Sequence, residues 1–552
     1  MKRLLTLALV ALLAASCATQ LYNKKIRRIA DKGNATIVGV VYCGDQPVSG
    51  VAVSDGKSVV MTDERGIYRL ESDKEMGVVF ISEPAGYDSP MKDAVRPSFW
   101  ATTTSPANKC ERHDFELKKV NDSNFALLMC SDTHFCNDPK VSDLNSFEKL
   151  CMPAFHRAVK HCGEKPVYTI CLGDITWDRF WYSTGFSIES VPSYLESVGF
   201  PTPFYGIMGN HDNDPSEVNS PTVDTDAARR YRQVFGPTYY SMNIGDVHVV
   251  MLDNVVYKNE KKPDQKVAKG VAGSRNYDLY VDDVQLAWLK SDLANVAPST
   301  PVVVCMHAPL FTRNGKGKQV SGFKKGKAES LVELLKDFES VRIFSGHKHQ
   351  NINHTHPLYS NITECNVTAI AGDLWKTPNI CGENIGEDGG DAGFYCCTFD
   401  GKKFSKRWYS SQGDHPFRVY DMHGIGVKYR ESKQLQHLCS LHPNQTNYGD
   451  AAYDDYIYIN CFTWEEGCEL KVRGLHTGKY YPVEQVNDSD PMAAEVCFAP
   501  AAAKKNKMNK KTNSLSLNFH MFRVKLDPCE EKQWRVTFTD PYGGKHEQVM
   551  IQ

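Results

Sequence analysis

The sequence predicts an α/β chain with mixed sheets, flanked by an amino-terminal β-sandwich and a carboxyl-terminal, mainly-β domain. Three observations carry this. Between Ser123 and Trp408 short apolar runs alternate with helical patterns; before them, β-branched runs and turn residues show no helical period; after about Gly413 the helical signal fades and strands predominate. At 552 residues the chain exceeds what one hydrophobic core supports, so it divides into several domains.

The first residues stand outside the fold. Lys2-Arg3, the apolar run Leu4 to Leu13 and Ala14-Ala15-Ser16-Cys17 form a basic, an apolar and a small-residue segment. The pattern resembles a bacterial lipoprotein signal, which implies cleavage after residue 16, a lipid on Cys17 and an exported chain anchored in the cell envelope on its periplasmic or outer-membrane face. Residues 18–34, with Lys24, Lys25, Arg27 and Arg28, read as a tether. The formal net charge of −2 gives no global reason to expect nucleic acid as a partner. Of 18 cysteines, Cys130, Cys171 and Cys305 fall inside predicted core strands; Cys43 with Cys110, Cys461 with Cys468, and Cys497 with Cys529 are candidate bridges in an oxidising envelope.

Residues 35–119 read as all-β. Thr36 to Tyr42 is a β-branched run, Gly44-Asp45-Gln46-Pro47 a turn, and Val78 to Ile81 a further strand. Val48-Ser49-Gly50-Val51 followed by Thr62-Asp63-Glu64-Arg65-Gly66-Ile67-Tyr68 resembles a transthyretin-like sandwich, and the segment holds no catalytic constellation, so it reads as a spacer or docking module. In residues 120–409, Leu144 to Lys160, Val284 to Ala294 and Ala328 to Phe338 have helical periodicity, and Tyr239 to Ile244 with Val247 to Leu252 across Gly245-Asp246 reads as a hairpin. In residues 413–552, Tyr456 to Cys461, Glu469 to Val472, Phe519 to Leu526 and Trp534 to Thr539 read as strands, with a lysine-rich loop around Lys504 to Lys511.

Five apolar runs end in residues suited to a divalent metal. Phe125 to Cys130 precedes Ser131-Asp132-Thr133-His134, Val167 to Leu172 precedes Gly173-Asp174, and Phe204 to Met208 precedes Gly209-Asn210-His211-Asp212. Val302 to Met306 runs into His307, and Val341 to Phe344 leads through Ser345 to Gly346-His347-Lys348-His349. A buried strand that stops at an Asp or His presents that side chain at the carboxyl edge of a sheet, where open α/β folds place their sites. Oxygen donors suit hard divalent ions and imidazole suits zinc, iron or manganese, so the mixed set points to a catalytic metal centre.

In this order the five elements resemble the calcineurin-like metallophosphoesterases: Asp-x-His, Gly-Asp, Gly-Asn-His-Asp, a lone His, then Gly-His-x-His. The resemblance implies an αββα sandwich with mixed sheets over residues 120–409, and two divalent transition-metal ions (Mn, Zn or Fe). Asp132, His134 and His349 would hold one ion, Asn210, His307 and His347 the other, with Asp174 bridging; metal-activated hydroxide would attack phosphorus. His211 matches the family's non-ligand histidine acting on the transition state or leaving oxygen, with Asp212 orienting its imidazole. Phe235-Gly236-Pro237-Thr238-Tyr239-Tyr240-Ser241 and Gln285-Leu286-Ala287-Trp288-Leu289 resemble an envelope subgroup with appended β domains. Trp177 stands where purple acid phosphatases carry a metal-binding tyrosine, which weighs against their coloured ferric centre.

Phe135, Trp177, Phe180, Trp181 and Tyr182 follow the metal motifs and are candidates for an aromatic wall, and Arg313, Lys316, Lys318, Lys324, Lys325 and Lys327 for a basic funnel. Asp178 and Asp373 read equally as turn residues or supports, and His354 as a surface histidine. The expected substrate is a phosphomonoester or phosphodiester on a small molecule, lipid head group or glycan, with the membrane reached through Cys17. Two alternatives stand beside it: a nuclease-type two-metal hydrolase, and an envelope glycan-binding or structural lipoprotein with a vestigial centre.

Overall fold

The computed structural model describes residues 29, 31–218, 220–261, 268–314, 318–442, 447–500, 518–527 and 529–551. The signal segment with Cys17, most of the tether, Lys316 and the lysine run from Lys504 to Lys511 lie outside the described residues. Among the described residues no helix is long and apolar enough to cross a membrane.

Two sheets build the centre. The first contains β1 (Asn124–Cys130), β2 (Val167–Cys171), β3 (Phe204–Gly206), β10 (Gly393–Asp400) and β11 (Lys403–Ser410) in the order β3-β2-β1-β10-β11. The second contains β4 (Tyr240–Ile244), β5 (Val247–Leu252), β6 (Val302–Met306), β7 (Val341–Ser345), β8 (Ile352–Thr355) and β9 (Ile362–Asn366) in the order β4-β5-β6-β7-β9-β8. β1, β2 and β3 run parallel, as do β5, β6, β7 and β9, whereas β10, β11, β4 and β8 pair antiparallel. Both sheets are therefore mixed, and the expected hairpin is β4-β5.

Period-two alternation decides what each face meets. Phe125, Leu127 and Met129 of β1 join the cluster shared with the second sheet, while Ala126, Leu128 and Cys130 face a cluster with helix α1 (Met152–Cys162). On the far side of the second sheet lie α2 (Asp283–Leu293) and α3 (Ala328–Leu335), which contribute Trp288, Leu289, Leu331 and Leu335. The layering is helix, sheet, sheet, helix. Each large apolar side chain fully buried in it contributes on the order of 1.5–3 kcal/mol.

The amino-terminal domain pairs Ile37–Cys43 with Ile67–Leu70, Gln46–Pro47, Glu111–Arg112 and Phe115–Glu116, and sets a four-stranded sheet around Ala52–Ser54 and Val78–Ile81. Its core is continuous with the centre: Val53, Phe80 and Ile81 cluster with Tyr239, Tyr240 and Trp288. Polar groups reinforce the junction. The Trp288 indole donates to Ser54 Oγ at 3.2 Å, Tyr205 Oη to Glu83 Oε2 at 2.8 Å, and Tyr239 Oη to the Gly56 carbonyl at 2.7 Å. The expected spacer is thus a fused part of the core.

Two four-stranded sheets form the carboxyl-terminal region. Against the expectation that helix fades there, α4 (Met422–Glu431) and α5 (Lys433–Leu441) follow its first strand. Each has a cap legible in retrospect: Asp421 accepts from His423 and Gly424 N–H, and Ser432 from Leu435 N–H. Gly424 and Gly426 dilute the apolar period of α4, and packing of Met422 and Tyr429 against Tyr458 overrides that weakness. His354, expected at the surface, is only 5% exposed, because the edge strand β8 is covered by this region, Asn353 Nδ2 donating to the Trp464 carbonyl. All 17 described cysteines are free thiols, so none of the three candidate bridges is present.

Candidate metal centre

The five strand ends meet at one edge. Asp132 and His134 follow β1, Asp174 follows β2, and Asn210 and His211 follow β3 in the first sheet; His307 follows β6, and His347 and His349 follow β7 in the second. Five of these residues, Asp132, His134, Asp174, His347 and His349, take positive φ, among thirteen non-glycine residues that do so in the described chain. The left-handed region costs an ordinary side chain about 1–2 kcal/mol and is visited most readily by Asn, Asp and His. Here it turns consecutive side chains off the strand axis and into the cleft between sheets.

Glycine permits the closest approaches. A Cβ on Gly209 would sit 2.1 Å from the Asp174 backbone nitrogen, and one on Gly346 would sit 1.7 Å from Ser131 Oγ and 2.6 Å from Asp132 Oδ2. The two motif glycines therefore let one ligand loop cross directly over another.

Nitrogen and oxygen atoms suited to a metal crowd together in the cleft. His134 Nε2 and His349 Nε2 are 3.1 Å apart, and Asp132 Oδ1 lies 3.2 Å from His349 Nε2 and 3.6 Å from His134 Nε2. His307 Nε2 lies 3.1 Å from Asn210 Oδ1, 3.2 Å from His347 Nδ1 and 3.4 Å from Asp174 Oδ2. Asp174 Oδ2 is also 3.8 Å from His134 Nε2, so this carboxylate stands between the two clusters. The ring tautomer at His307 is set from outside: Nδ1 donates to the Leu172 carbonyl at 2.8 Å, leaving the Nε2 lone pair for the centre. Asp132 Oδ1 is buried and faces the His349 and His134 imidazoles, while Oδ2 accepts from Ser131 Oγ and from His347 N–H. Buried lone pairs facing one another repel unless a cation lies among them. Asp132-His134-His349, Asp174-His307-His347 and His134-Asp174-His211 each bring donors within 4.8 Å of one another, and the donor set fits divalent transition metals.

Within the cluster the charges act strongly on one another. Burial would raise both Asp132 and Asp174, yet each is held below the usual carboxylate range, Asp132 chiefly by His349 and His134, Asp174 chiefly by His307 and His211. Burial and the neighbouring His307 push His347 down to about 3, whereas Asp174 outweighs burial at His307 and lifts it to about 9.

Asp212 does not reach the imidazole it was expected to orient. Its carboxylate accepts instead from Gly209, Ile175 and Thr176 N–H at 2.9, 3.1 and 2.9 Å, bracketing the loops that carry Asp174 and His211. Its position immediately after His211 turns its side chain back under the loop. Asp178 makes the imidazole contact: Oδ1 lies 2.8 Å from His211 Nδ1 and accepts from Arg275 Nη1 at 2.7 Å. His211 Nδ1–H thus donates to Asp178, and Nε2 is free to face the cleft. Burial lowers His211, but Asp174 and Asp178 more than compensate and raise it. Arg275, which sequence reading missed, carries a positive φ and comes from a segment with no metal-type motif, so no local signal marks it.

Of the aromatic residues, Phe135 and Trp181 are buried packing groups, and Tyr182 Oη donates to Asp214. Trp177 meets His134 with ring centroids 5.8 Å apart and packs edgewise on Phe180 with centroids 4.9 Å apart, so these two form the wall. The basic funnel is partly neutralised, with Lys324 paired to Asp278 and Lys327 to Asp283. Asp373 holds Lys376 at 2.7 Å.

Family comparison places three matches in series: the N terminal of Calcineurin-like phosphoesterase over residues 35–120, Calcineurin-like phosphoesterase over 125–351, and the C terminal of Calcineurin-like phosphoesterase over 364–546. No curated protein matches the chain. Among solved structures, a dimetal phosphatase from Danio rerio is 12% identical, with 53% of this chain and 98% of that one covered at a TM-score of 0.34. A putative 5'-nucleotidase from Staphylococcus aureus is 16% identical, with 52% and 53% covered at 0.32, and GAP50, the anchor in the inner membrane complex of Plasmodium, is 16% identical, with 53% and 86% covered at 0.32.

Proposed function

From a chain that belongs to the calcineurin-like phosphoesterases and is a metal-dependent phosphoric ester hydrolase, we propose an exported, lipid-anchored enzyme that holds two divalent ions and cleaves a phosphomonoester or phosphodiester. The observation that carries the reading is the convergence of two donor clusters on Asp174. Asp132, His134 and His349 would hold one ion and Asn210, His307 and His347 the other, with the Asp174 carboxylate available to both. Bound divalent ions supply Lewis acidity to a phosphoryl oxygen and acidify water near neutral pH.

The chain's own groups supply position and proton. Nε2 of His211 faces the cleft and delivers a proton to the departing alkoxide while Asp178, braced by Arg275, fixes the ring and steadies its charge. Trp177 and Phe180 flank the leaving-group side and favour a substrate with an apolar or ring-bearing portion. Completeness of the ligand-type set, all buried or half-buried at one edge, supports an active centre over a vestigial one.

The deciding experiment loads purified protein with Mn, Zn or Fe, measures metal per chain, and screens phosphomonoesters, phosphodiesters and nucleic acid. Close to two ions per chain and turnover of a small phosphoester are expected. Full activity without metal, or none on any ester at full loading, would sink the proposal. Anchoring rests on Ala14-Ala15-Ser16-Cys17. Cys17→Ala should move the protein out of the detergent-extracted fraction, and a mass spectrum showing an unlipidated wild-type terminus elsewhere refutes it.

A further inference from the structure

Two thiols with no motif to connect them meet in the core. Cys162 is the last residue of α1 and Cys396 lies within β10, 234 positions away, yet their sulfurs are 3.6 Å apart. The approach is a product of packing. Phe155 of α1 stacks on Phe394 of β10 with centroids 4.2 Å apart, which lays the helix over the strand and points Cys396 at its final turn. A sulfur–sulfur bond is about 2.05 Å long, so the two atoms need to close roughly 1.5 Å, within the reach of side-chain rotation and a small helix adjustment.

We propose that Cys162 and Cys396 form a disulfide that bonds α1 to β10, made by exchange with a disulfide-bearing oxidant of the glutathione disulfide class. The more accessible Cys162, 6% exposed against 2% for Cys396, is the first nucleophile. Its thiolate attacks one sulfur of the oxidant, giving a mixed disulfide and releasing one thiol. The Cys396 thiolate then attacks Cys162 Sγ, forming the protein disulfide and releasing the second thiol. Two protein thiols are oxidised, one disulfide is reduced to two thiols, and protons balance. Lys165 beside Cys162 aids this order: the hydrogen bond from Cys396 and the lysine charge lower the Cys162 thiol against the pull of burial.

The covalent loop would enclose residues 163–395 and so Asp174, Asn210, His307, His347 and His349, while β10 lies directly against β1, the strand that ends at Asp132. The crosslink therefore ties down the frame around the centre without touching a ligand. Closing so long a loop restricts the unfolded chain strongly.

The test treats native wild-type protein with oxidised glutathione, alkylates remaining thiols and maps peptides without reduction. A linked pair carrying Cys162 and Cys396, two hydrogens lighter than its parts, is expected. Dithiothreitol should then lower Tm by about 4–10 °C, and Cys162→Ala or Cys396→Ala should abolish that difference. Recovery of both cysteines alkylated, or of either bonded to another cysteine such as Cys130 or Cys171, overturns the proposal. So does a reductant-dependent Tm loss that survives in Cys162→Ala. The wild-type map decides even if a variant fails to fold.

Discussion

His211 separates proton delivery from metal binding more cleanly than any other side chain in the cleft, since its Nδ1 is occupied by Asp178. His211→Ala should leave metal content nearly unchanged and slow turnover by roughly 10²–10⁴-fold, with a smaller loss for esters whose leaving group is already acidic. Metal analysis beside rates for aryl esters of graded leaving-group pKa checks this; loss of one ion would make His211 a ligand, and equal slowing of every ester would overturn its leaving-group role. The two neighbouring carboxylates should then part company. Asp178→Asn should copy the His211 phenotype in milder form, because it loosens the ring, whereas Asp212→Asn should lower stability and metal retention together, because its single amide oxygen cannot serve all of the Gly209, Ile175 and Thr176 N–H groups that the two carboxylate oxygens accept from. Parallel melting curves and metal titrations of the two variants distinguish the roles. Ligand-type residues were readable because each ends a strand in a short motif. The support for His211 was not, since Asp178 and Arg275 reach it from separate loops and adjacency in sequence favoured Asp212.

Strands and helices show the same division between local and distant causes. The β4-β5 hairpin, α1, α2 and α3 were legible from period and turn residues alone, whereas α4 and α5 were not, because their stability comes from packing on Tyr458 and from caps on short, diluted helices. One element junction buries a carboxyl group that holds its proton. Glu364 of β9 is buried, and burial lifts it to about 7 from 4.5 against hydrogen bonds from Ser345 Oγ and from Leu310 and Phe311 N–H. The folded protein holds this proton where the unfolded chain releases it, so the stability present below pH 4.5 is lost as pH climbs through 7. The full loss is on the order of 3 kcal/mol. Urea midpoints at pH 5 and pH 8 should show a fall for the wild type that is largely absent in Glu364→Gln; equal slopes would mean Glu364 is ionised throughout.

For the whole molecule, the fused amino-terminal domain matters most. Deleting residues 35–119 uncovers Tyr239, Tyr240, Met242 and Trp288, removes Ser82 from Ser241 and removes the Ser54 acceptor from the Trp288 indole. The truncated protein should aggregate or bind a hydrophobic dye, and a soluble, fully active remainder would show the domain to be a detachable spacer. Sequence pattern located this domain but could not show the fusion, because the contacts join residues far apart in the chain.

That junction also sets a timetable for the nascent chain. Phe80 and Ile81 leave the ribosome about 200 residues before Trp288, their partner in the shared core. At about 5–20 residues per second, the interval lasts roughly 10–40 s. Throughout it an apolar sheet face has no cover of its own, so a newborn chain depends on holding factors in direct proportion to how slowly it is made. Slowing translation between Ile81 and Trp288, with synonymous rare codons alone, should lower soluble yield without altering a single atom of the finished protein.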